Sequence, residues 1–489
     1  MLPATSSSVT KPNPDQQSKT GSTPFLTVMF VPMEFRNLDL RPSLLSNLAD
    51  IGYTEMTLVQ AETLPQMIAG SDVLARAKTG SGKTAAFGLG LLNKLDVTDF
   101  RSQALVLCPT RELADQVSKE LRRLARGIPN IKVLTLCGGV PLRAQLASLQ
   151  HSPHIVVGTP GRVLKHLRKE TVVLNDLNTL VLDEADRLLD MGFTDELDAI
   201  LEFLPTNRQT LLFSATYPAT VAAMSRRVQR SPVIVDVTDD EQPAQIVQTW
   251  CSVTRENRNQ ELVRALRAWG GELNLVFCNT KLDCAEIAGY LVSQNIGAVA
   301  LHGDLDQSER TEVLVRFTNR SAAVLVATDV AARGLDVQDL DAVFNYELPH
   351  QAEVYLHRIG RTARAGKQGI AVSLVEQREE WRWQEIEQLL PDACLRKCAI
   401  PDAQVTAGHL SPAMTTIQIS GGRKNKLRAG DVLGALTANG GITGDSVGSI
   451  DLFETCSYVA VRKADTQQAL RQLANRPIKG RRYRARVRK

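Results

Sequence analysis

The octapeptide Ala77-Lys78-Thr79-Gly80-Ser81-Gly82-Lys83-Thr84 constrains the fold of this chain more than any other stretch. It follows a short apolar run at 72–75 and opens a helix-like run at 85–92. Small residues at such a junction let backbone N–H groups curl around phosphate oxygens. A lysine there neutralises the outer phosphates, and the next hydroxyl can ligate Mg²⁺. Thr79, Gly80, Ser81, Gly82, Lys83 and Thr84 are therefore candidate nucleotide-binding residues, with Thr84 also a candidate metal ligand. Ala77 stands where the pattern usually has glycine, a small departure. A merely flexible turn would not need a strand before it and a helix after it. A loop of this kind belongs to a sheet of parallel strands that carry their chemistry at their carboxyl ends.

The remaining apolar runs agree. Strand-length segments at 103–110, 154–159, 179–186 and 209–216 form one set, and those at 274–280, 298–304, 323–329, 341–348 and 369–375 a second. Each ends in polar residues and is followed by a helix-length stretch, the pattern of parallel sheets covered on both faces. The fold expected is α/β: two tandem parallel-sheet domains, at 33–235 and 249–392, joined by an acidic, proline-punctuated linker at 236–248. Residues 1–32 are rich in Ser, Thr, Pro, Lys and Gln and read as a disordered tail. After a break at 393–411, the segment 412–489 spells βαββαβ, a small α+β domain.

Two further clusters carry chemistry. Asp183-Glu184-Ala185-Asp186 ends an apolar run. By itself it would read as a solvated loop. Beside a phosphate-binding loop, Asp183 is placed to hold Mg²⁺ and Glu184 to orient or deprotonate an attacking water. His357-Arg358-Ile359-Gly360-Arg361-Thr362-Ala363-Arg364 lies in the second lobe. Three arginines within seven residues are by default a surface patch. They act on a phosphoryl group only if both lobes close on one nucleotide.

Taken together these residues resemble the DEAD-box branch of the superfamily 2 helicases, with two RecA-like domains, over about residues 35–375. The resemblance implies an RNA-dependent ATPase that opens short duplexes locally, using ATP and Mg²⁺. It assigns Lys83, Asp183, Glu184, His357, Arg361 and Arg364 to catalysis. Phe35 and Gln60 would recognise adenine, and Gly334 and Asp336 would lie at the ribose. Ser214 and Thr216 would couple hydrolysis to strand separation. RNA contacts fall on Pro109, Thr110, Arg111, Gly139, Thr159 and Arg162 in the first lobe and on Gly303 and Thr328 in the second. Many relatives have glycine at the position of Ala363, a difference expected to matter little.

The net charge of +4 hides an asymmetry. Residues 411–489 hold 15 Lys and Arg against 5 Asp and Glu, so the rest of the chain is net acidic. A basic end without a long apolar run points to nucleic acid before membrane. Lys424, Lys426, Arg428 and Arg482 are candidate phosphate contacts, and Tyr458 the one aromatic at a plausible stacking position. The stretch from Gly421 to Leu436 resembles the C-terminal domain of DbpA-type bacterial helicases. That likeness implies docking on a hairpin of 23S rRNA in a pre-50S particle, by a monomer in the cytoplasm. The eight cysteines form no CxxC pair, which argues for reduced thiols and against zinc. No run is long enough for a membrane span. An ATP-gated RNA clamp and a DNA translocase stay as rivals, separable by duplex displacement and by comparing RNA with DNA as ATPase stimulators.

Overall fold

The computed structural model describes residues 33–78, 80–237, 246–332, 340–363, 368–390, 395–401 and 410–488. In the first lobe the apolar runs become seven parallel strands: β1 Val73–Arg76, β2 Ala104–Leu107, β3 Val133–Leu136, β4 Ile155–Gly158, β5 Thr179–Leu182, β6 Gln209–Ser214 and β7 Val233–Asp236. Their order is β3-β4-β2-β5-β6-β1-β7. Successive side chains leave a strand on opposite faces, so each run feeds two cores. Val73 and Ala75 enter one apolar cluster and Leu74 the other. Ala104 and Val106 likewise oppose Leu105 and Leu107. Burial on both faces is why the runs are continuous and not alternating.

The second lobe contains β8 Ile246–Val253, β9 Asn274–Cys278, β10 Ala298–Leu301, β11 Val324–Thr328, β12 Ala342–Asn345, β13 Gly369–Glu376 and β14 Leu395–Lys397. Their order, β10-β11-β9-β12-β13-β8-β14, is the same permutation as in the first lobe. The two lobes are therefore one topology used twice.

Two expected boundaries shift. Residues 246–248, expected as linker, begin β8, and Leu395–Lys397, expected within the second break, adds parallel to β8 at the sheet edge. Residues 246–248 offer two apolar positions before Gln248, and 395–397 end in two charged residues, so no continuous apolar run marks either; pairing to a neighbouring strand makes them strands. The edge strands β3 and β7, largely apolar but four residues long, were likewise not among the expected runs. The disordered tail expected at 1–32 lies outside the described residues, as does 238–245 of the expected linker.

The C-terminal domain has the expected order. Antiparallel β15 Met414–Ile419, β16 Val447–Leu452, β17 Ser457–Arg462 and β18 Ala485–Val487 form a sheet ordered β16-β17-β15-β18. Helices Ala429–Thr437 and Thr466–Asn475 cover one face, burying Ile417, Ile419, Val459 and Val461 against Val432, Leu436, Ala469 and Leu473. The opposite face meets the second lobe. Ser321 hydrogen-bonds Thr416, Arg488 pairs with Glu312 at 3.0 Å, and Gly297 N–H donates to the Leu410 carbonyl. Tyr458 is consequently buried, accepting from Gln418 at 3.0 Å and meeting Phe453 edge-on. The one aromatic at a plausible stacking position therefore has no open face, because the sheet face that carries it is covered.

Candidate functional site

The strand order explains the site. β5, β6 and β1 are neighbours, so the acidic tetrapeptide, the Ser214–Thr216 strand end and the phosphate-binding loop converge at one edge of the carboxyl-end crevice. Glycines 80 and 82 take φ of 93° and 95°, conformations that a side chain would strain. A Cβ on Gly82 would also lie 2.5 Å from Gln60 Nε2. The Lys83–Lys94 helix starts here, and Lys83 is buried, its ammonium donating to the Ala77 carbonyl at 2.6 Å. Burial lowers its pKa, opposed by the nearby Asp183, Glu184 and Asp186.

The acidic tetrapeptide is buried throughout. Burial, reinforced by Glu184, pushes the Asp183 carboxyl up to about 7. It forms no ion pair among the described residues. The Asp183 carboxylate and the Thr84 hydroxyl are hard oxygen donors of the kind Mg²⁺ takes. Glu184 sits in left-handed backbone at φ 51°, where its N–H donates to Asp183 at 3.0 Å. Its carboxylate is fixed by Arg187 at 3.0 Å. Asp186 accepts from the Thr216 N–H and hydroxyl at 2.9 and 2.7 Å, and its own N–H donates to Ser214 Oγ at 3.3 Å. Burial raises its pKa, yet the Thr216 bond and Lys83 outweigh this and leave it below the usual range.

Across the crevice lies the second lobe's Ala352–Ile359 helix. His357 is held down to about 4, first by burial and then by Arg187 of the first lobe, with Asp186 and Glu184 opposing. Asp186 thus feels Lys83 from its own lobe and His357 from the other. Arg361 is buried close to His357. Arg358 is no surface cation: it is buried, chelates Asp329 at 2.6 and 2.7 Å, bonds Asn279, Asn345 and the Glu347 carbonyl, and covers the Phe277 ring. It anchors the helix that presents His357. Ala363 takes φ 56°, so a side chain here costs about 1–2 kcal/mol against glycine; the substitution expected to matter little is a strained one.

Other expected residues separate into groups. Gln60 caps its helix through Thr57 N–H at 2.9 Å and donates to the Gly82 carbonyl at 3.2 Å, tying the segment expected to recognise adenine to the glycine-rich loop. Phe35 is buried near Tyr53. Thr79, Gly334, Asp336 and Arg364 lie outside the described residues.

The expected RNA residues sit on the other half of each sheet, after β2, β3 and β4 and after β10 and β11. Thr110 caps the Arg111–Leu124 helix, accepting from Leu113, with Pro109 just before it. Arg111 reaches Gln307 at 2.9 Å beside Gly138 and Gly139. Arg162, after Thr159, donates to Val140 at 2.8 Å and to Gln145, which also holds His166 at 3.0 Å. Gly303 leaves open space at its Cα and Thr328 caps the next turn through Ala331. Lys424, Lys426, Arg428 and Arg482 are exposed.

Sequence reading missed two residues, Arg187 and Arg310, and the interlobe pairing of Glu112. Arg187 follows Glu184 by one helical turn, a spacing that could have flagged it. Glu112 and Arg310 pair between the lobes, 198 positions apart, with no signal in the sequence.

Two parallel-sheet lobes closing a phosphate loop, a buried acidic cluster and a histidine–arginine helix on one crevice define a two-lobed nucleotide-hydrolysing machine. The chain matches the DEAD/DEAH box helicase family over residues 57–224, the helicase conserved C-terminal domain over 257–366 and the DbpA RNA binding domain over 416–487. It is 51% identical over 448 residues to the ATP-dependent RNA helicase DbpA of Escherichia coli, covering 92% of this chain and 98% of that one. It is 42% identical to the DEAD-box ATP-dependent RNA helicase CshA of Bacillus cereus, covering 72% of this chain and 67% of that one. Among solved structures, S. cerevisiae Dbp5 bound to RNA and ADP BeF3 superposes with TM-score 0.69 at 29% identity, over 76% of this chain and 96% of that one. Mss116p bound to ssRNA and AMP-PNP gives 0.68 at 27%, over 76% and 81%. The chain belongs to the DEAD-box ATP-dependent RNA helicases. It is an RNA-dependent ATPase and helicase, and it carries the RNA-binding domain of the DbpA kind. No described helix is long and apolar enough to cross a membrane.

Proposed function

We propose that this helicase opens short duplexes of large-subunit ribosomal RNA during 50S assembly in the cytoplasm, held to its target as a monomer by the C-terminal domain docked on a 23S rRNA hairpin. The observation that carries the reading is the covered sheet of that domain. With Thr416 and Tyr458 against the second lobe, Lys424, Lys426, Arg428 and Arg482 are among the cations it leaves exposed for RNA. Such a domain grips shape and phosphates and delivers the core to neighbouring helices. The likeness to the E. coli helicase supports the same address.

In the core, residues 79–84 hold the ATP phosphates, Phe35 and Gln60 the adenine, and Gly334 and Asp336 the ribose. Thr84 and Asp183 hold Mg²⁺, which when bound neutralises phosphate charge. Glu184, aligned by Arg187, orients the attacking water and accepts its proton. Arg361 and Arg364 stabilise charge on the phosphoryl group in flight, with His357 keeping the second lobe in register with Asp186. Ser214 and Thr216 tie hydrolysis to the RNA half of the crevice, where Pro109, Thr110, Arg111, Gly139, Thr159, Arg162, Gly303 and Thr328 grip backbone irrespective of base. Hydrolysis reopens the lobes and frees the strand.

Crosslinking the protein to cellular RNA and sequencing what it holds tests the address. Reads gathered at one large-subunit hairpin are expected, and lost on combined Lys424→Glu and Lys426→Glu substitution. Reads spread over transcripts in proportion to abundance would exclude an rRNA address. Glu184→Gln should abolish turnover while preserving ATP binding, and wild-type turnover in that variant would refute the role of Glu184.

A further inference from the structure

The Arg111–Leu124 helix of the first lobe begins at expected RNA contacts and runs on toward the C-terminal domain. Along its outer side Lys119 and Arg122, with Arg126 just beyond its end, face Arg423 across a cleft of about 540 Å³ that Asp115 also lines. The cations facing one another belong to different domains. Burial lowers the pKa of Arg122, and the Arg423 charge across the cleft lowers it further, with Asp115 opposing. Arg123 is neutralised by Glu120 at 3.3 Å, whereas the side chains of Lys119, Arg126 and Arg423 form no ion pair among the described residues. The carboxylates within reach are Asp115, whose charge Lys119, Arg122 and Arg423 all favour, and, from β16, Asp451, whose charge Lys119 favours. Lys119, Arg122, Arg126 and Arg423 against these two carboxylates leave an excess of positive charge between the domains, which a bound anion would relieve.

We propose that this cleft is a binding site for the phosphates of a single RNA strand, carrying it from the C-terminal domain to the helicase crevice. Continuity selects RNA over other polyanions. At one end, Arg423 is followed directly by exposed Lys424 and Lys426. At the other, Arg111 opens the same helix, about 16 Å from Arg122 at 1.5 Å per residue. A hairpin held by the C-terminal domain would have its flanking strand guided along this helix into the lobes. Both lobe 1 and the C-terminal domain supply cations, so the site is complete only when the three domains are assembled, and strand binding there favours that assembly. The inference rests on RNA binding by the family and not on the rRNA address, which the crosslinking experiment tests separately.

The test uses the full-length protein and one RNA hairpin, with and without a single-stranded extension. Lys119→Glu and Arg126→Glu should each weaken binding of the extended RNA by about three- to tenfold at moderate salt, and flatten its salt dependence by about one phosphate contact. Both should leave hairpin binding and RNA-free ATPase unchanged. Asp451→Asn separates the alternatives: removing a carboxylate from an anion site tightens the extended RNA, whereas losing an interdomain partner of Lys119 weakens it. Equal loss for both RNAs, weakening by Asp451→Asn, or an effect confined to added inorganic polyphosphate would each overturn the proposal.

Discussion

Closure of the lobes is reported by one ion pair, Glu112 with Arg310, at 2.5 Å. Each side chain is 14% exposed, so the pair lies between two regimes. Exposed pairs contribute about 0.2–1 kcal/mol, while stripping one partner from a buried pair costs about 3–5 kcal/mol. Arg310 also donates to the Ala331 carbonyl at 2.6 Å, which holds its guanidinium in place whether or not Glu112 is present. A loss of about 2 kcal/mol on replacing Glu112 by Gln is therefore expected, a shift of about thirtyfold toward the open form at 1.4 kcal/mol per decade. Energy transfer between dyes on the two lobes, in the presence of RNA and a non-hydrolysable ATP analogue, reads the closed fraction directly. Glu112→Gln, Arg310→Gln and the double variant form a cycle in which the double should be no worse than either single. Closure in Arg310→Gln within about twofold of wild type, or losses that simply add, would show that the pair does not report the closed state.

Three further outcomes follow from the same geometry. Gly82→Ala sets a side chain at φ 95° and against Gln60, and should weaken ATP binding at least about tenfold by calorimetry; unchanged affinity would mean the loop takes another shape. With the lobes together His357 is held down to about 4 from the ordinary 6.5, because burial and Arg187 disfavour the charged ring, and parting the lobes is expected to relieve both. The closed form then binds fewer protons, so closure weakens as pH falls below 6.5, by up to about tenfold per unit. The His357→Asn variant should lack this component, and parallel pH profiles for the two proteins would refute it. Arg187→Ala leaves Glu184 buried without its cation, and should cost about 3 kcal/mol in denaturant unfolding and slow single-turnover hydrolysis at least about tenfold. Arg187→Lys should recover part of both, and a variant with normal stability and rate would show that the pair is idle.

Much of this could be read along the chain because the informative residues are local. The phosphate loop needs consecutive small residues followed by Lys83 and Thr84, so its chemistry is written in eight positions. Continuous apolar runs disclosed the central strands because both of their faces are buried. The edges were not legible: in β8 the polar pair Gln248-Thr249 interrupts the apolar residues, and β14 is Leu395-Arg396-Lys397, strands only by virtue of a neighbour. Arg358 shows the limit for side chains. In sequence it is one of three arginines in a basic octapeptide, yet in the fold it is a buried strut with five partners on three separate segments.

Local patterns along the chain were enough to define the two parallel-sheet lobes and the small basic βαββαβ domain, and to nominate the residues of the nucleotide site. Periodicity, glycine conformation and charge act over a few neighbouring positions, and a linear reading captures them. Only the tertiary structure decided which lobes and faces meet: Glu112 with Arg310, His357 with Asp186, the C-terminal sheet covered by the second lobe, and Arg423 opposite Arg122. Such contacts join residues tens to hundreds of positions apart. Their partners are chosen by packing and electrostatics in three dimensions, to which spacing along the chain is blind.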